Sequence, residues 1–373
     1  MLRHLIRSFS VGSLVTVMLP ALAPAQGLRS TSVAVALQST SYSLETAGNK
    51  STVAQTAIPI VFALPFSERF TMDITTAYAI TDVITGGSST SSIKGLTDTQ
   101  VRGNYAFADQ TVIFTFGLNI PTGQYTIPAD QVVAAGQIGN DFLSYPISSM
   151  GNGLAGTGGI AFARAIGSWN LGAGASMRKS TEFAAFGDAS AEFRFQPADE
   201  YRLNLGLDRP VGDGQVQLGL SYSAFGEDVA GDTTIYSTGD RLIASGSWTF
   251  PVRNNSVSLS GWNLFRMAGQ QFAGDAPKEN IASLNAGMSI NAGEVLIQPN
   301  VEMRLWQVGG VKAGHVQHRC AVAAQRGQLR ILPVGRVQHR QPVRHRERHR
   351  DRRDGDEGWA DGAVELSGGW WEV

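Results

Sequence analysis

Between residue 31 and about residue 306, apolar and polar residues alternate one by one in segments of roughly ten residues, with turn-forming residues between the segments. Successive side chains of a strand point to opposite faces, so each such segment reads as a strand with one apolar and one polar side. In residues 98–107, Val101, Gly103, Tyr105 and Phe107 fall on one face, and Asp98, Gln100, Arg102 and Asn104 on the other. The next segment puts Val112, Phe114, Phe116, Leu118 and Ile120 together, against Ile113, Thr115, Gly117 and Asn119. Leu203, Leu205 and Leu207 likewise oppose Arg202, Asn204, Gly206 and Asp208. A helical period of about 3.6 residues would scatter these apolar positions around a cylinder.

Strands of this kind suit a wall with hydrocarbon on one side and water on the other. Composition agrees. Charged residues make up 16% of the chain and glycine 43 of its 373 residues, against about 25% charged residues in a soluble domain. The connections alternate in length. Asp109-Gln110, Asp213-Gly214, Asn254-Asn255 and Gly293-Glu294 read as hairpin turns, and the polar stretches 86–94, 124–153, 186–200, 227–239 and 268–278 as loops. Short turns on one rim and long loops on the other predict an all-β fold, a closed antiparallel transmembrane β-barrel of about 12–14 strands. The longest connection, 124–153, is a candidate either for folding into the lumen or for a surface loop.

The first 25 residues have the layout of a secretory signal. Arg3, His4 and Arg7 precede the apolar run 11–22, and Ala23-Pro24-Ala25 offers a small-x-small cleavage site. Beyond it no apolar run reaches the length of a spanning helix, about 20 residues. The organisation expected is therefore a signal peptide (1–25), a barrel (26–312) and a tail (313–373). Export through the inner membrane of a Gram-negative bacterium to its outer membrane follows, with outer-membrane lipids, the outer-membrane assembly machinery and a small-molecule solute as partners.

The tail breaks the pattern. Arg and His crowd residues 315–353, and the run Arg344 to Arg353 holds six arginines and two histidines. Nucleic-acid binding suits an exported protein poorly, and His345-Arg346-Glu347-Arg348-His349 lacks the order that sets two histidines and a base on one helix face. A shifted coding frame is the plainest source of such a tail, which is expected to be irregular and to add no barrel strand.

Between the signal and His315 there is no histidine and no cysteine. Ser-His-Asp and Cys-His catalysis are excluded there, as are metal sites built on those ligands. The Gly-rich run 151–159 lacks the Lys-Ser/Thr of a phosphate loop. No enzyme activity and no cofactor are expected. What remains is a lining: the alternation turns Asp73, Asp98, Arg102, Arg164, Arg178, Arg202, Asp208, Glu302 and Arg304 inward, where they either pair to hold the lumen together or set solute preference. Trp169, Trp248, Trp262, Tyr78, Tyr105 and Tyr222 are candidates for interfacial girdles, with Trp262 also able to face inward.

Residues 95–107 (GLTDTQVRGNYAF), followed by 116–123 (FGLNIPTG), resemble the outer-membrane barrels of the meta-pathway phenol-degradation family. The likeness in layout covers about residues 28–306. It implies a channel, one for passive uptake of small hydrophobic or aromatic solutes, and supplies no catalytic residue. A non-conducting structural barrel is the alternative. Family members close on a strand ending in an aromatic residue, whereas this chain ends Trp371-Glu372-Val373.

Overall fold

The computed structural model describes residues 13–19, 31–46, 49–85, 88–107, 111–185, 194–231, 233–271, 274–292 and 295–324. In chain order the first strands are β1 (Ser13–Leu19), β2 (Ser32–Thr46), β3 (Asn49–Pro65), β4 (Phe70–Thr85), β5 (Ser88–Leu96), β6 (Thr99–Phe107) and β7 (Val112–Ile120). A long loop follows, carrying a 3-10 turn (Ala129–Gln131) and a short helix, α1 (Val132–Ile138). Then come β8 (Ala155–Ile166), β9 (Trp169–Ser180), β10 (Phe195–Gln196), β11 (Glu200–Val211), β12 (Gly214–Phe225), β13 (Asp228–Ala230) and β14 (Thr233–Ser237). The last are β15 (Arg241–Val252), β16 (Asn255–Arg266), β17 (Gly269–Gln271), β18 (Gly274–Ala276), β19 (Glu279–Ala292), β20 (Val295–Val308) and β21 (Val311–Ala324).

The fold is all-β, an antiparallel transmembrane barrel. Its main sheet has sixteen strands, and the additional β3–β4 pairing makes the ladder an unbroken circuit. β5 and β6 occupy one wall position: β4 pairs with β5 through Tyr78–Thr85 and with β6 through Phe70–Thr75. Setting β1 aside, the wall therefore has fourteen positions from β2 to β21. The loops beyond the wall carry a second sheet of five short strands, β10-β13-β14-β17-β18. No helix among the described residues is long and apolar enough to cross a membrane.

Register explains why these segments make a wall. Residues directly opposite in a ladder share a face. Phe114 lies between Tyr105 and Ile160, and Leu205 between Ala173 and Leu220. The resulting outer face is apolar and uncovered: Phe116 is 49% exposed, Leu203 56% and Leu284 60%. A contiguous surface of this kind belongs in lipid, where each outward Arg or Lys near the midplane would cost about 2–4 kcal/mol. Val112, Phe114, Phe116, Leu118 and Ile120 all lie on it. Aromatic rings gather on its short-turn rim: Phe66 stacks on Phe70, Phe70 on Phe116, and Phe107 packs edge-on against Tyr105 and Phe114. Trp248 packs beside Phe250 further round. Gly103 lies under the Phe116 ring, where a Cβ would come within 2.1 Å of it. Tyr78, Tyr201 and Tyr222 share the outer face towards the loop rim; Trp262, opposite Ser283, faces inward.

Two segments depart from the sequence expectation. Residues 88–94, within the stretch 86–94 expected as loop, belong to β5, because Ile93 and Ser91 fill inward positions opposite Thr81 and Val83. The wall also runs beyond residue 312. β21 pairs with β20 residue by residue from Val308↔Val311 to Val295↔Ala324. Gly309 and Gly310, at φ +52° and +83°, turn the chain back, and backbone pairing to an open strand edge needs no side-chain alternation. The expectation of an irregular tail otherwise falls outside the described residues. The segment read as signal peptide contributes β1, antiparallel to β2 and parallel to β21.

Candidate functional site in the barrel lumen

The inner faces of the strands define a lumen whose two ends differ. Towards the short turns the inward positions are small and polar: Gly172, Gly174, Asn204, Gly206, Gly219, Ser221, Ser245, Ser258, Asn285 and Gly287. Charges are few there. Asp73 lies directly opposite Arg102, whose guanidinium donates to Gln100 Oε1 at 2.9 Å. Asp208 accepts from Asn170 Nδ2 at 2.9 Å and from Gln215 Nε2 at 3.2 Å.

The loop end is filled. The connection between β7 and β8 folds inward and buries Ala134, Ile138, Phe142, Leu143 and Met150 against Val53, Ala57, Ala79, Ile93, Leu264 and Ile281. On one side it is held by β3 and β5: Gln55 donates to the Ile147 carbonyl (2.8 Å) and accepts from Ile147 N (2.9 Å). Ser91 Oγ donates to the Asp130 carbonyl (2.7 Å). Tyr145 donates to the Val53 carbonyl (2.8 Å) and packs edge-on against Tyr42. Burial, then the neighbouring Tyr42, raise the Tyr145 hydroxyl above its ordinary range, so it remains a donor. On the opposite side Arg304 Nη1 donates to the Phe142 carbonyl, and the Phe142 ring stacks on Trp306 at 5.1 Å.

Asp98, 7% exposed, clamps both ends of this loop. Its carboxylate accepts from Gly123 N (3.1 Å) where the loop begins, from Asn152 N (2.7 Å) where it ends, and from Asn119 Nδ2 (2.6 Å) on the wall. Gly123 permits the approach: a Cβ there would lie 2.1 Å from the Met150 carbonyl oxygen.

Around the rest of the loop end runs a belt of arginines, most with a glutamate of their own. Arg202 forks onto Glu200 Oε1 through Nε (3.0 Å) and Nη2 (2.7 Å). Arg266 pairs with Glu279, which also accepts from Trp306 Nε1 at 2.7 Å. Arg304 reaches Glu302 Oε1 at 3.0 and 2.6 Å and lies over the Trp262 ring, and Ser283 Oγ donates to the same carboxylate oxygen at 2.7 Å. Buried charges persist only when paired and hydrogen-bonded in this way. Arg178 lies opposite Glu200 on the same face.

Of the nine expected lining residues, Asp73, Arg102, Arg178, Arg202 and Asp208 line the lumen, while Asp98, Glu302 and Arg304 are buried and hold the loop or its wall. Arg164 is a correction. It shares the face of Ile160 and Phe162 and lies opposite Leu171, so it points outward. It sits two residues from the β8–β9 turn, where a long side chain reaches the headgroup region. Arg209 occupies the same rim, its guanidinium 5.4 Å from the Trp169 ring.

Sequence reasoning missed Gln55, Ser91, Asp141, Glu200, Arg241, Arg266 and Glu279. Arg241, Arg266 and Glu279 stand at strand ends beside loops, a signal that alternation alone does not rank. No group of His, Cys, Asp and Glu suited to a metal occurs among the described residues.

No family model matches the chain, and no curated protein matches its sequence. Among solved structures it is similar to an outer membrane channel from Pseudomonas putida F1, at 15% identity and a TM-score of 0.41, covering 77% of this chain and 97% of that one. An anion-selective porin from Comamonas acidovorans matches at 9% identity and a TM-score of 0.38, covering 78% and 95%. The outer membrane protein OpdK from Pseudomonas aeruginosa matches at 8% identity and a TM-score of 0.36, covering 75% and 89%. At these values the likenesses carry no argument about function.

Proposed function

We propose that this chain is an outer-membrane channel for passive uptake of small hydrophobic or aromatic solutes, in the manner of the phenol-degradation barrels that its sequence resembles, and not an enzyme. The observation that carries the reading is the contrast within the lumen: an open half lined by small polar side chains beneath a mouth narrowed by an inserted, anchored loop. A packed obstacle over a polar passage is what selectivity by size and wall chemistry requires. On this reading residues 1–25 are a signal peptide and leave with export. β2 and β21, which run antiparallel to each other on either side of β1, then become neighbours in a fourteen-strand wall. The assembly machinery of the outer membrane would insert this wall, and lipids would cover its apolar face.

The test is conductance in a planar bilayer. The intact protein should conduct weakly, and a variant lacking residues 126–149 severalfold more. The burial of Phe142, Leu143 and Tyr145 in the mouth favours the second reading, a non-conducting structural barrel. That reading predicts that neither form conducts. Uptake of an aromatic solute by whole cells should fall when the protein is removed; unchanged uptake sinks the transport role.

A further inference from the structure

One row of inward side chains crosses six neighbouring strands at the loop end of the lumen. Direct ladder partners give the order Ser176, Arg202, Ser223, Arg241, Arg266, Glu279. Arg241 and Arg266 are thus immediate cross-strand neighbours, and like charges so placed repel. Three belt arginines have a wall glutamate within ion-pair distance: Glu200 for Arg202, Glu279 for Arg266, Glu302 for Arg304. Arg241 has none among the described residues. Its Nε is buried without a hydrogen-bond partner; Glu200 attracts it from the wall without pairing with it, and the carboxylate that does reach ion-pair distance comes from the loop. Asp141 lies 3.8 Å from Arg241 Nη1 through Oδ1 and 3.7 Å from Arg266 Nη1 through Oδ2.

Those separations exceed the ~2.7–2.9 Å of a charge-assisted hydrogen bond. Asp141 neutralises the pair without bonding to either member. It cannot come closer cheaply, because its turn is tied: Leu143 N and Ser144 N both donate to the Asn140 carbonyl at 3.1 Å, and Phe142 N donates to Asn140 Oδ1 at 2.9 Å. A carboxylate free of the backbone has no such tether, and two guanidinium forks suit its two oxygens. The surroundings choose an organic acid over an inorganic anion. The Phe225 ring lies 5.3 Å from the Arg241 guanidinium, and Ile243, Leu264, Ile281 and Phe142 pack in the same cluster one step along the row.

We infer that Arg241 and Arg266 form a binding site for the carboxylate of a small aromatic or aliphatic acid, and that Asp141 occupies it in the solute-free barrel as a tethered stand-in. A solute that takes the arginines displaces Asp141 and frees one anchor of the loop. As a gate this rests on the channel reading above; as a binding site it does not.

The full-length protein, refolded in detergent and checked by heat-modifiable migration, is titrated with benzoate by calorimetry. Asp141→Asn should bind benzoate severalfold more tightly than the unaltered protein, because the competitor has lost its charge. Arg241→Gln and Arg266→Gln should lose the binding. Should a Gln variant fail to fold, Arg241→Lys and Arg266→Lys keep the charge without the fork and should weaken binding clearly. Inorganic phosphate and benzyl alcohol should give no comparable heat. Equal affinity in the Asp141→Asn and unaltered forms overturns the inference. So does benzoate binding indifferent to the arginines, phosphate binding that matches benzoate, or no binding by any form. Bilayer conductance on the same preparations separates the two claims: benzoate binding without conductance sinks the channel and leaves the site, and conductance without binding does the reverse.

Discussion

The loop end and the turn end of the lumen are lined by the same strands, yet they are built on opposite principles. At the turn end, inward glycine, serine and asparagine leave space, and a charge such as Asp208 rests on amide donors. At the loop end, Arg304 and Glu302 are 2% and 4% exposed, and loop residues pack against the wall as a protein core does. The lesson is that one ladder, with one alternation, can be a water-facing wall at one height and half of a hydrophobic core at another. What sits opposite the wall decides which.

The sharpest way to break this contrast is to remove a charge at each end. Arg304→Ala removes the guanidinium from beside the buried Glu302 carboxylate and from the Phe142 carbonyl. It should cost about 3–5 kcal/mol in denaturant unfolding. Asp208→Asn at the open end should change stability by less than about 0.5 kcal/mol. Similar costs at the two ends would mean that the loop end is not the packed one.

Asp98→Ala tests whether the loop is held at its ends or only by its apolar contacts. It strands three donors, Gly123 N, Asn152 N and Asn119 Nδ2, at a cost of about 1–3 kcal/mol. Limited proteolysis should then cut within 124–153 while the strands remain resistant. A loop that stays resistant places its anchorage in its middle, at Gln55, Ser91, Tyr145, Arg304 and the apolar contacts.

Gly206→Trp sharpens the other half. A side chain at Gly206 would meet open space within 4 Å, so the indole should enter the lumen with little effect on unfolding. Conductance should fall. Unaltered conductance in a folded variant would show that the turn end does not limit flow.

The smallest effect is expected outside the wall, at Asp228 in the five-stranded rim sheet. Burial raises its carboxyl above the ordinary value, while Ala198 N, donating at 2.7 Å, works the other way. A carboxyl raised on folding is favoured protonated, so its stabilising share is full in acid and is lost as pH rises through the raised value. Asp228→Asn should therefore be slightly more stable than the unaltered protein at neutral pH, by a few tenths of a kcal/mol. The advantage should disappear below the ordinary carboxylate range. Urea unfolding at the two pH values checks it, and an advantage that grows in acid refutes the assignment.

Much of the barrel can be read from residue order because its constraint is local. Val112 to Ile120 and Tyr201 to Leu207 each declare two faces by themselves. Lipid tolerates only apolar side chains on the outer face, so that face is written plainly at every second position. Arg164 shows where the reading fails: near a strand end the interface accepts a long cation, and the penalty that enforces parity fades. β21 shows a second failure. A backbone ladder asks only for an open edge and a turn, both of which the Gly309-Gly310 hairpin provides, and an irregular side-chain pattern does not forbid it. The loop site was the least legible part. Its members, Gln55, Ser91, Asp98, Asp141, Arg241, Arg266 and Arg304, come from six strands or strand ends and one loop.

The sequence by itself determined an all-β wall, its two faces and the alternation of short turns with long loops, because those follow from a two-residue period and from solvents of opposite polarity on the two sides. Only the tertiary structure decided that residues 124–153 turn inward, that Asp98 is a clamp and not a lining charge, and that Arg241 and Arg266 share Asp141. Those outcomes depend on which strands become neighbours around the circuit and on how much space their inward side chains leave. Ladder register and lumen volume are properties of the assembled wall, and no single segment carries them.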